Sequence, residues 1–305
     1  MGLTAEQDTQ LLDTFRSVVL SEREEIDAGF IQVSPGDARS HAPPVHFLLL
    51  QDGFPEHTNL ALQKASEAIE ATVEPHGPAL VRLYFRHVHT TYPVVSKGRF
   101  LRLYKSARES IPASLRGAIY ALASSFWHSD QSLEQPCPFP QHVLATYAAD
   151  VLRRELEAPN LFKLQACFLL LHMRPPDIDS VETPSLWILA AQATACAQMI
   201  GLHRDPTHWD IPDWEKALRK KLWWATYVTD CWTAVCHGNP PHISSTSFNT
   251  ATLDINDMRW DEDFEDDLQN LVDPADMNFK VVVGARFIAS VELAKLLRVV
   301  LDSAR

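Results

Sequence analysis

Small and apolar residues return every three or four positions from Leu186 through Leu189, Ala190, Ala193 and Ala197 to Ile200, the repeat of one helix face. Thr183 stands where an N-cap belongs, Pro184 fits the first position, where no amide donor is needed, and Gly201 offers a left-handed stop. Such short side chains let a neighbour approach closely, so the spacing predicts a core helix. A second helix is expected from Asp210, with Asp213 in capping-box spacing and Pro212 in the first turn. Its inner face reads Trp214, Leu218, Leu222, Ala225, Thr229, Trp232 and Cys236, until Gly238, Pro240 and Pro241 end it.

The rest of the chain carries the same period in shorter pieces. Residues 1–28 show a thin stripe of Leu12, Phe15, Val19 and Ile26 among acids. A poorly ordered terminus is favoured there over a docking helix. Residues 34–55 are punctuated by proline and glycine and read as a linker, with Val45 to Leu50 a strand or anchoring loop. Helices are expected at 58–73, 78–89, 100–109, 112–128, 141–157, 160–173 and 278–305. Pro136, Pro138 and Pro140 exclude continuous helix between two of them. Helices of similar length joined by proline-marked turns predict an all-α fold, an irregular array of antiparallel helices with no substantial sheet. The expected division is an N-terminal flank at 1–40 and one domain at 41–305.

Composition narrows this picture. The chain has 305 residues, 46% apolar and 22% charged, the make-up of a globular protein able to bury a large core. The longest apolar run, Leu161 to Met173, contains Lys163, Gln165 and His172 and reads as a buried helix rather than a membrane span. Met1 to Gln10 is polar and lacks the apolar run of a secretory leader, so an intracellular chain is expected. Cys137, Cys167, Cys196, Cys231 and Cys236 show no C-x-x-C spacing and read as reduced thiols.

The joint Gly201, Leu202, His203, Arg204, Asp205 and Pro206 is followed by Arg219, Lys220 and Lys221 before Trp223 and Trp224, then Asp230 and the Gly238-Asn239-Pro240 turn. Upstream, Leu83-Tyr84-Phe85, His89, Tyr92-Pro93 and Phe100 form an aromatic opening stretch. In this order the set closely resembles the fungal-specific transcription factor domain, the middle homology region of binuclear zinc-cluster regulators, over a core at 78–260. Cys231 and Asn239 stand where the family usually has arginine. The resemblance implies a non-catalytic regulatory region of RNA polymerase II genes in the nucleus. Other regulators or coactivators would be its partners, in a homo- or heterodimer, with a small-molecule effector among its signals. Its motif residues are His89, Pro93, Gly201, Leu202, His203, Arg204, Asp205, Arg219, Trp223, Trp224, Asp230, Gly238 and Pro240. Because family members commonly continue through further helices, a domain shortened at its C-terminus is expected.

A binuclear zinc cluster needs six closely spaced thiolates, and these 305 residues contain five scattered cysteines. With a net charge of −12 opposing contact with phosphates, DNA is expected to be reached only indirectly, and zinc would belong to a DNA-binding head outside this sequence.

Other constellations carry residue types suited to chemistry. His203-Arg204-Asp205 mimics a kinase catalytic loop, but Asp210 stands where asparagine is required and no glycine-rich loop precedes it. His203 is expected to cap backbone groups, and Arg204 to pair with Asp230. His87 and His89 diverge on a helix and are expected to be structural. Acids at 261–267 are similar to the magnesium motif of all-α prenyl-diphosphate enzymes, which keeps a metal-dependent enzyme as the alternative. The favoured reading of the acidic stretch from Asp254 to Asp276 is a solvated loop, and that of Arg219 to Lys221 a solvated helix face.

Overall fold

The computed structural model describes residues 30–36, 44–48, 55–173, 184–263, 268 and 270–303. The expected helix at 1–28, the Thr183 cap and the acids at 265–267 lie outside them. Among the described residues the chain is predominantly helical: α1 (Pro55–Val73), α2 (Gly77–Leu83), α3 (Lys97–Ser106), α4 (Ala113–Ser124), α5 (Gln141–Glu155), α6 (Leu161–Leu171), α7 (Pro184–Met199), α8 (Asp213–His237), α9 (Ile255–Arg259) and α10 (Val281–Ser303). The expected helices at 78–89 and 112–128 end in tighter or wider turns. α2 runs into a π-turn at Tyr84–Val88, and a 3-10 turn at Trp127–Ser129 follows α4.

All twelve residues of α4 are buried, and α1, α2, α5 and α6 pack around it. Gly117 permits this crowding, since a Cβ there would stand 3.0 Å from that of Ala148 on α5. From α6 the packing passes to α7, then α8, then α10, so α6 joins the two halves of the array. Arg116 is buried on α4, where its guanidinium donates to the Ile111 carbonyl (3.1 Å) and the Ser66 hydroxyl (2.6 Å) and pairs with Glu70. A buried cation is tolerated there because each face of the fork has an acceptor.

Two small strands were only half foreseen. Val45–Leu48 (β2) pairs antiparallel with Phe30–Ser34 (β1), with a register shift between Gln32 and Ser34. The Val33 carbonyl also accepts from the Asp210 amide at 2.8 Å, which fastens this hairpin to the joint between α7 and α8.

α8 departs from the expected single inner face. From Leu222 to Cys231 every residue is buried, because α6, α7, α9 and α10 surround that stretch. Trp232 is 43% exposed and Cys236 is exposed, although both fall on the predicted inner stripe. The helix outruns its cover near its C-terminus.

Candidate functional site

The motif residues gather into three linked arrangements along α8. The first is the joint after α7. Gly201 adopts a left-handed φ of 77°, its amide donates to Gln198 (3.0 Å) and the Leu202 amide to Ala197 (2.9 Å), which closes the helix as a Schellman cap. A Cβ on Gly201 would also meet the Phe47 ring at 2.9 Å. Gly201→Ala therefore combines backbone strain with a steric clash, and a loss of about 1–3 kcal/mol is expected in urea unfolding. Phe47→Ala in the same chain relieves only the steric part.

Arg219 fastens the joint from α8. It donates to the Ile200 carbonyl at 2.9 Å and to Glu215, and it lies over the rings of Phe47 (5.4 Å) and Trp209 (5.3 Å). Thr250 donates to the Leu202 carbonyl (2.7 Å), Asn249 to the His203 carbonyl (3.0 Å), and the Trp224 indole to Ala251 (2.8 Å), so residues 249–251 seal the other side. The Asp205 carboxylate accepts from the Thr207 hydroxyl, and the Asp205 amide donates to the side-chain oxygen of Asn249, both at 3.0 Å. His203 packs near Trp223. Burial, helped by the adjacent Arg204 cation and opposed by a contact with the Gln198 backbone, pushes its imidazole down to about 4. It is neutral near pH 7, and its buried Nδ1 has no hydrogen-bond partner among the described residues.

The second arrangement is the end of α8. Gly238 adopts a left-handed φ of 65°, and its amide and that of Asn239 close a second Schellman cap on Val235 and Ala234. The chain then passes Pro240 and turns back over the helix. There the Asp230 carboxylate, 1% exposed, accepts from the His242 amide (2.8 Å), the His242 ring Nδ1 (2.8 Å) and the Ile243 amide (2.9 Å). The expected Arg204–Asp230 pair is therefore corrected: the carboxylate is filled by the returning chain. The Trp187 ring lies against that of His242, with centroids 4.0 Å apart and planes tilted by 31°, and ties α7 to this turn.

The third is a buried charge cluster centred on Glu262, a residue outside the sequence motif. Glu262, 5% exposed, accepts from the His89 ring Nε2 at 3.0 Å and stands 3.6 Å from the Lys97 ammonium and 3.8 Å from that of Lys221. Burial opposes the Glu262 charge, but His89 and the two ammonium groups outweigh it and hold the carboxyl below its usual range. Burial lowers His89, which stays neutral, donates through Nε2 and leaves Nδ1 as an acceptor without a partner among the described residues. A cavity of about 20 Å³, room for one water, lies beside His89, Lys97 and Glu262, with Pro93 also on its wall.

The described acids at 257, 261 and 262 thus form a strap rather than part of a solvated loop. Asp261, at a left-handed φ of 62°, accepts from the Arg99 amide and the Arg102 side chain (both 2.7 Å) and from Ser96, capping α3. Asp257 pairs with Lys220 at 2.5 Å, and Asp263 accepts from the Phe279 amide at 2.6 Å. The basic triplet is corrected with it: Arg219, Lys220 and Lys221 have side chains only 14%, 15% and 2% exposed. Position 221 lies three after Leu218 and four before Ala225, so its inward phase was readable; the carboxylate awaiting it, 41 residues on, was not. His87 goes elsewhere, stacked on Phe126 and bonded to Ser129, so the two histidines share no ligand. Among the described residues no group of three or more His, Cys, Asp or Glu is placed to hold a metal ion, and no helix is long and apolar enough to cross a membrane.

Comparison with known proteins places this arrangement. An uncharacterized transcriptional regulatory protein of Schizosaccharomyces pombe is 34% identical over 57% of this chain and 26% of its own length. The transcriptional activator protein DAL81 of Saccharomyces cerevisiae is 29% identical over 70% of this chain and 21% of its own. The lactose regulatory protein LAC9 of Kluyveromyces lactis is 30% identical over 53% and 18%. The chain thus spans about a quarter or less of these relatives. No solved structure matches it. The family model of the fungal specific transcription factor domain matches residues 81–301, a span that holds all three arrangements apart from Phe47, and the chain belongs to that family.

Proposed function

We propose that this chain is the regulatory region of a nuclear transcription regulator of RNA polymerase II genes, and that it works by contact with other regulators or coactivators. Membership of the family over residues 81–301 carries the reading. The geometry supports it, because the motif residues are spent on holding helices together: Gly201 and Gly238 cap, Arg219 fastens the joint, and Asp230 holds the turn. DNA is reached indirectly, through a zinc-cluster head outside these 305 residues or on a dimer partner. A small effector would act by displacing the strap at Glu262, since the cavity beneath it admits about one water.

The test is a reporter driven by the full chain fused to a heterologous DNA-binding head. Output changed severalfold from that of the head alone is expected, and lost with Arg219→Ala. Output equal to that of the head alone, from a fusion shown by limited proteolysis to be folded, would refute the proposal.

A further inference from the structure

The first ten residues of α1, 55–64, are exposed on every side, while its second half is anchored by Ile69 and Val73. α1 and α5 meet where the Tyr147 hydroxyl donates to the Ala65 carbonyl at 2.7 Å. Beyond that bond they leave an open groove of about 610 Å³. Its floor is apolar, from Leu60, Ala61, Ala65, Tyr147 and Val151, with Leu60 50% exposed. Its rims carry Lys64 on α1 and Arg154 on α5, both exposed. The one carboxylate on the lining, Asp150, is already paired with Arg153 at 2.9 Å. Lys64 and Arg154 thus give an apolar trough basic rims.

We propose that this groove docks an acidic amphipathic helix of a partner protein. The trough between two helices suits apolar side chains spaced at i, i+4 and i+7, the helix-in-groove mode. Lys64 and Arg154, on opposite rims, select acidic flanks. The inference rests on the protein-contact reading above and names the chemistry of one partner.

The test is fluorescence anisotropy of the full chain with a labelled helical peptide of about 18 residues, Leu and Phe at those spacings and Glu on both flanks. Saturable binding is expected, weakened about tenfold or more by Lys64→Glu with Arg154→Glu and by raised salt, and absent for the same peptide with Lys flanks. Both rim positions are exposed, so the double variant should unfold like the parent. Equal binding by parent and double variant, or none by the parent, would overturn the proposal. Binding that emerges only when the acids between Glu6 and Asp27 are changed to amides would hand the groove to the chain's own N-terminal segment and overturn the partner assignment. The reporter fusion keeps the two readings apart. An active fusion unaffected by the double variant, with no peptide bound, sinks the groove alone, whereas an inert fusion sinks the regulatory reading while peptide binding is still measured.

Discussion

Glu262→Ala will cost the chain about 3–5 kcal/mol, because it leaves the ammonium groups of Lys97 and Lys221 buried without their shared carboxylate. With its side chain only 7% exposed, solvent screens little of this loss. Urea unfolding should show a lowered midpoint at unchanged slope. Adding Lys97→Met and Lys221→Met to Glu262→Ala should recover most of the loss, since apolar side chains of similar volume need no countercharge. If the single and triple variants unfold alike, the cluster does not hold the strap.

The same cluster gives stability an acid limb. The Glu262 carboxyl is depressed in the folded chain, so its contribution is complete above the unfolded value of about 4.3 and is lost as pH falls through the lower folded value. His89 adds to the limb from higher pH. Its folded pKa is lowered, so below about 6.5 the unfolded imidazole takes up a proton that the folded one refuses, and folding becomes less favourable. Unfolding temperature should therefore fall from pH 6.5 downward, and Glu262→Gln should flatten the part of the curve below about 4.3.

Asp230→Ala will cost about 3 kcal/mol, because the amides of His242 and Ile243 lose their acceptor in a buried turn. Asp230→Asn should cost less, since one acceptor oxygen remains, although its NH₂ then faces a donor. Arg204→Ala supplies the control. No bond joins Arg204 to Asp230, so a loss below about 1 kcal/mol is expected from this half-buried position. Equal losses from Asp230→Ala and Arg204→Ala would show that the carboxylate does not hold the turn. The consequence for function is local: His242 would be freed from Asp230, Trp187 would lose its ring partner, and the exposed apolar end of α8 would loosen around Trp232.

Most of the helices were legible in the sequence, because a helix is specified by neighbours three and four positions away. Thus Pro184 and Gly201 bound α7 and Gly238 ends α8, whereas the start of α8, expected near Asp210, lies at Asp213. The strand at Phe30–Ser34 was not legible, since five residues of mixed character acquire their conformation only by pairing with Val45–Leu48. Trp232 also misled: periodicity gives the phase of a face, but not how far along the helix its cover extends.

By itself the sequence determined the helical class, the caps at Gly201 and Gly238, and the ordered motif that marks the family. Only the tertiary structure decided where the charges went. It moved Lys221 from solvent to the interior, gave Asp230 to a turn twelve residues on rather than to Arg204, and made the acids at 257, 261 and 262 a strap joining α3, α8 and the turn at His89. The reason is one of range. A helical repeat is written within a few residues of itself, whereas an ion pair between positions 97, 221 and 262 exists only once the packed helices have closed the distance and excluded the water.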